Sequence, residues 1–166
     1  MVRTKYIVIA GLLILSVVFV RPCLFQSEKD KVKKQFDLLT EYVSKERGEK
    51  VLKTALKIKG LGMLFAESCM LEAPEYLISG SYANPEVTNL ANYARLQFSK
   101  LSLRFYDLGI NLQNKEVGKA NLTCRVKGIL NSGENMDEIH ELECVFRKTG
   151  SRWVFTAFKV VEVLEK

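Results

Sequence analysis

The chain has 166 residues, 48% hydrophobic and 27% charged, with a formal net charge of +6 and a pI near 9.1. Past residue 25, twenty-two basic residues face nineteen acidic ones, a net charge near +3, so the basic pI gives little ground for nucleic-acid binding. One histidine and four cysteines without a C-x-x-C pair exclude an ordinary zinc site, and nothing in the chain calls for a cofactor.

Residues 6–20 read YIVIAGLLILSVVFV, fifteen positions without a charge behind Arg3 and Lys5. A run this apolar after a short basic flank marks an export signal or an anchor. The stretch from Val18 to Phe25 lacks the small residues that a cleavage site needs. Residues 1–25 are therefore assigned as a signal anchor or transmembrane helix, with membrane lipid contacting residues 6–25. Tyr6 to Phe25 supplies the roughly 20 residues a bilayer core requires, provided Arg21 snorkels to the interface. Secretion after cleavage is the alternative, since the strictly apolar part is short for a span. Lipidation of Cys23 is disfavoured by the Val-Arg-Pro before it. The positive-inside rule does not fix orientation, because Arg21, Lys29, Lys31, Lys33 and Lys34 follow the run. The very short amino-terminal flank places the domain on the periplasmic or extracellular side of a single-pass membrane protein.

Residues 26–166 suffice for one domain with one core. Ser27 and Asp30 have the spacing of a capping box, and Val32, Phe36, Leu39 and Val43 recur at helical period behind them. EKVLKTALKIKG predicts a second helix with Val51, Leu52, Ala55, Leu56 and Ile58 on its apolar face, stopped by Gly60. Lys53, Lys57 and Lys59 on it could approach anionic headgroups or form a solvated face. LGMLFAESCML reads as a short buried helix, broken at Ala73-Pro74, and Glu75 to Ile78 as an edge strand. Asn84-Pro85-Glu86 joins an N-cap residue, a proline suited to the first helical position and an acid suited to the helix dipole. That helix runs to about Lys100, with Val87, Leu90, Ala91, Ala94, Phe98 and Leu101 as its apolar face.

After Leu101 the period becomes two, and turn signals at Asn114 to Gly118, Asn131 to Asn135 and Lys148 to Ser151 divide the remainder into four strands. Ala120, Leu122, Cys124, Val126 and Gly128 share a dry face, as do His140, Leu142, Cys144 and Phe146. Folding these strands about Gly133 sets Cys124 opposite Cys144 and Arg125 opposite Glu143. The two thiols are then either small core residues or a disulfide. Trp153 to Leu164 is apolar on both faces and belongs inside the sheet. Asp107 interrupts the alternation of LRFYDLGINL in the manner of a bulge.

The order of elements is α+β, helices followed by an antiparallel sheet. With the NPE-capped helix leading into FSKLSLRFYDLGINL and the closing RKTGSRWVFTAFKVVEVL, it resembles the nuclear transport factor 2-like superfamily from about Ser27 to Leu164. The resemblance implies a cone of helices packed on a curved antiparallel sheet, behind the membrane anchor. It also implies a pocket, here lined by Met63, Phe65, Tyr76, Phe98, Phe105, His140, Leu142 and Phe158. Family members serve as enzymes, ligand binders or assembly domains. Tyr106, Asp107 and His140 are the acid and base groups on offer, but no constellation like that of ketosteroid isomerase or scytalone dehydratase aligns. The reading is a non-catalytic envelope domain that binds another envelope protein or a small apolar ligand, with a homodimer also compatible. A small-molecule lyase or isomerase is the alternative.

Overall fold

The capping box at Ser27 forms as its sequence requires: Ser27 Oγ accepts the Asp30 N–H at 3.1 Å, and the Asp30 carboxylate accepts the Ser27 N–H at 3.2 Å. It starts helix α1 (Glu28–Val43), which buries Val32, Phe36 and Leu39. The structure is a computed structural model and describes residues 27–164. The expected anchor over residues 1–25, with Arg21 and Cys23, lies outside the described residues. Among those described, no helix is long and apolar enough to cross a membrane.

Helix α2 (Val51–Gly62) follows, then strand β1 (Phe65–Ala73), a 3-10 turn (Pro74–Tyr76), strand β2 (Ile78–Ala83) and helix α3 (Asn84–Gln97). Four long strands complete the chain: β3 (Phe98–Leu112), β4 (Val117–Leu130), β5 (Asn135–Thr149) and β6 (Arg152–Leu164). They form one sheet in the order β2-β1-β6-β5-β4-β3, in which only the β1–β6 pair among the described strands is parallel. Three helices lie on this curved, unclosed six-stranded sheet. β6 is interior, as its two apolar faces require.

The core lies where α1 meets the sheet. The Phe36 ring packs edge-on against Phe105, 5.4 Å between centroids, and against Phe155 at 4.9 Å. Such a fully buried aromatic is worth roughly 1.5–3 kcal/mol of transfer free energy. Trp153, 1% exposed, stacks edge-on against Phe146 and donates its Nε1–H to Glu28 at 2.8 Å, tying the start of α1 to the last hairpin.

Four local readings are corrected. The run predicted as a short buried helix is strand β1, whose backbone is taken up by ladders to β2 and β6; it buries Phe65 and Cys69 and leaves Glu67 and Ser68 exposed. The edge strand is β2, and the predicted strand over Glu75 to Ile78 is instead mostly the 3-10 turn, ended by Leu77 in the left-handed region at φ 57°. α3 stops at Gln97, so Phe98 and Leu101 belong to β3, and the turn before them buries Arg95 while Ala94 is exposed. The β4–β5 ladder places Cys124 opposite His140, Ala120 opposite Cys144, and Arg125 opposite Ile139. The hairpin closes earlier than expected, at a turn in which the Leu130 N–H donates to the Glu134 carbonyl at 2.8 Å and the Gly133 N–H to the Leu130 carbonyl at 2.9 Å. The slip is an even number of residues, so every side chain keeps its predicted face. Cys69, Cys124 and Cys144 are free and buried, and the Cys124–Cys144 disulfide is not formed.

Candidate functional site

Period-two alternation brings Glu138 and His140 to the same, helix-covered face of β5 as Leu142 and Cys144, and the register sets His140 beside Cys124 of β4. The β1–β2 hairpin supplies the third member. Its tip is tightened by Pro74 and by the left-handed Leu77, and this turn carries Tyr76 over to β5. The Tyr76 hydroxyl donates to the Glu138 carboxylate at 2.7 Å and lies 3.3 Å from His140 Nε2. Glu138 is 3.2 Å from the same ring nitrogen. The Tyr76 and His140 rings meet edge-on, with centroids 5.9 Å apart.

The electrostatics of this cluster follow from partial burial. Desolvation, and then the hydrogen bond and charge of Glu138, push the Tyr76 phenol well above its ordinary range. The phenol therefore keeps its proton through the physiological range and acts as a fixed donor. With its O–H donated to Glu138, the Tyr76 oxygen can accept from a proton carried on Nε2. Nδ1 is then left buried without a hydrogen-bond partner, in a side chain only 6% exposed. Burial pushes the neighbouring Cys124 thiol up to about 12, which makes it an inert wall of the site. Tyr76 is 47% exposed, so the cluster is open to solvent on one side.

The remaining predicted lining residues are dispersed. Phe65 and Phe158 meet at 6.0 Å between ring centroids, deeper along the same face of the sheet. Leu142 packs against the core between Leu122 and Val160 in the ladders. Phe105 is taken up by Phe36 and borders a groove of about 490 Å³ between α1 and the edge of β3. Phe98 seals the far end of the sheet over Gly128, where a Cβ would come within 2.6 Å of its ring. Met63 is half-exposed and borders, with Phe65, a separate groove of about 640 Å³. Asp107 is at a break in the β3–β4 register with φ 53°, and its carboxylate faces Thr123, away from His140. Glu138 was missed, although its spacing of two from His140 carried the signal. Among the described residues no cluster of ligating side chains could hold a metal ion.

No family model matches this chain, and no curated protein matches it. Solved structures do. A hexachlorocyclohexane dehydrochlorinase (LinA) superposes with a TM-score of 0.64 at 10% identity, over 82% of this chain and 86% of that one. A candidate scytalone dehydratase from Novosphingobium aromaticivorans gives 0.63 at 13% identity, over 83% and 85%. A candidate calcium/calmodulin dependent protein kinase II association domain from Xanthomonas campestris gives 0.62 at 12% identity, over 81% and 87%. The likeness establishes a fold of the nuclear transport factor 2-like type, which hosts both enzymes and an association domain and so assigns no activity by itself.

Proposed function

We propose that the chain is a membrane-tethered, non-catalytic binding domain. Residues 6–25 hold it at a bilayer, and the cone takes a small ligand with an apolar body and a hydrogen-bonding head at Tyr76, Glu138 and His140. The observation that carries this reading is the bare, buried Nδ1 of His140 beside a Tyr76–Glu138 pair whose proton is locked in place. A buried polar atom without a partner costs about 1–3 kcal/mol, and a ligand hydroxyl admitted to it by displacement of the half-exposed Tyr76 ring would recover that. Leu142 and Phe158, half-buried on the same face, offer the apolar surface for the ligand's body. A second reading, proton transfer by a lyase or isomerase, is favoured by the hydrogen-bond reach of a tyrosine, a carboxylate and a histidine, together with the two enzyme-named structures.

Titration of the full chain with straight-chain alcohols, followed by thermal unfolding, tests the proposal. Wild type should be stabilised by about 2.7 kcal/mol at a hundredfold excess over Kd. Tyr76→Phe and His140→Leu should lose most of that increment. Equal stabilisation of all three proteins, or consumption of a ligand that depends on His140, would contradict it.

A further inference from the structure

The geometry points to α2 as an interfacial helix that seats the domain on an anionic bilayer surface, an inference that rests on the tether proposed above. Helix α2 is turned inside out. Its buried side carries Lys57, Gly60 and Leu61, whereas Val51, Leu52 and Leu56 are 86%, 73% and 61% exposed. This reverses the face expected from its apolar spacing, and the cause is ionic. Lys57 Nζ donates to the Glu49 carboxylate at 2.6 Å and to the Ser44 carbonyl at 2.7 Å. Turning the apolar stripe inward would withdraw Lys57 from both.

The charge around the stripe selects the partner. α2 contains no acidic residue, and Lys50, Lys53 and Lys59 are exposed along it. Lysine stems lie along apolar surface while their ammonium groups reach outward, the arrangement of a helix lying in the headgroup region of an anionic leaflet. A second copy would bring the same positive stripe against itself. Position agrees with charge. Glu28, in the first turn of α1, is bonded to Trp153, while Leu64, just past the end of α2, accepts the Phe155 N–H at 2.8 Å. The first turn of α1, where the described residues begin, thus lies at the sheet end where α2 finishes.

The test uses the full chain carrying Cys23→Ser and Leu56→Cys, the new thiol labelled with an environment-sensitive fluorophore, since Cys69, Cys124 and Cys144 are buried. It is mixed with phosphatidylcholine vesicles, with and without phosphatidylglycerol, and with nitroxide-bearing lipid as quencher. The label should shift to the blue and be quenched when phosphatidylglycerol is present. Lys53→Glu and Lys59→Glu should each weaken that response by about fivefold or more. A label that remains water-like on phosphatidylglycerol vesicles overturns the inference, and so does a label shielded without vesicles in a protein of dimeric mass. Failure of the tether is read separately, as loss of flotation with phosphatidylcholine alone, and the phosphatidylglycerol-dependent shift judges α2 in either case.

Discussion

Asn84 stands where a helix cap is expected, yet its side chain is used elsewhere. Its Nδ2 donates to the carbonyls of Gly62 at 2.8 Å, Phe65 at 2.9 Å and Ala66 at 3.2 Å, fastening the start of α3 to the end of α2 and the start of β1. The free N–H of Ala83 is met by the Glu86 carboxylate at 2.7 Å. Asparagine and aspartate are equivalent as N-caps, so Asn84→Asp separates the two roles. It should destabilise the fold by about 1–3 kcal/mol in chemical denaturation, because an acceptor replaces the donor facing three carbonyls. A neutral effect would restore the capping role. The helix start is legible at residues 84–86, but the three acceptors are not, because the apolar run before Ala73 has no period that marks it as strand β1. Glu28 offers a pH-dependent counterpart. Hydrogen bonds from Lys31, Lys148 and Trp153 hold its carboxyl at about 2, below its ordinary 4.5. A carboxyl with a lowered folded-state pKa contributes its full stability above the unfolded value and loses it as pH falls. The stability difference between wild type and Glu28→Gln should therefore be constant above pH 4.5 and shrink toward pH 2. A difference independent of pH would contradict that assignment.

At the scale of elements, the long strands and α1 were readable because one face of each is dry, which imposes a period that the sequence must obey. Registers and helix rotations were not, since they depend on partners distant in the chain. α2 shows this most clearly. Its apolar spacing was real, but Glu49 gathers Lys57, Thr54 and Arg95 in a buried cluster, with Arg95 Nη2 at 2.5 Å, and this sets which side faces in. Burial pushes the Glu49 carboxyl up, but hydrogen bonds from Lys57, Thr54 and Arg95 outweigh it and leave the group below its ordinary range. Removing one member of a buried ion pair typically costs about 3–5 kcal/mol, because the charges left behind have no compensation. Glu49→Ala should therefore destabilise the domain by about that amount in a denaturant titration, and a loss near zero would show that the cluster does not set the rotation of α2. The β1–β2 tip was misjudged for a similar reason. A left-handed leucine such as Leu77 has no sequence signature, so the turn that carries Tyr76 to β5 could not be anticipated.

For the whole molecule, the α+β order and the dry sheet face led to the cone, whereas the assembled cluster of Tyr76, Glu138 and His140 appeared only in three dimensions. The tether we propose makes its own prediction at this scale: the full chain should sediment with membranes and resist salt extraction, and deletion of residues 6–25 should release it. Recovery of the full chain in the soluble fraction would contradict the membrane reading. Recognition at the cone is the central claim, and the ring nitrogens of His140 report on it directly. In a 15N-labelled full chain titrated with a straight-chain alcohol, the Nδ1 resonance should move with saturation as a hydroxyl donates to it, and the alcohol should be recovered unchanged. An Nδ1 resonance that stays fixed through the titration, or a ligand converted to product, would contradict the account.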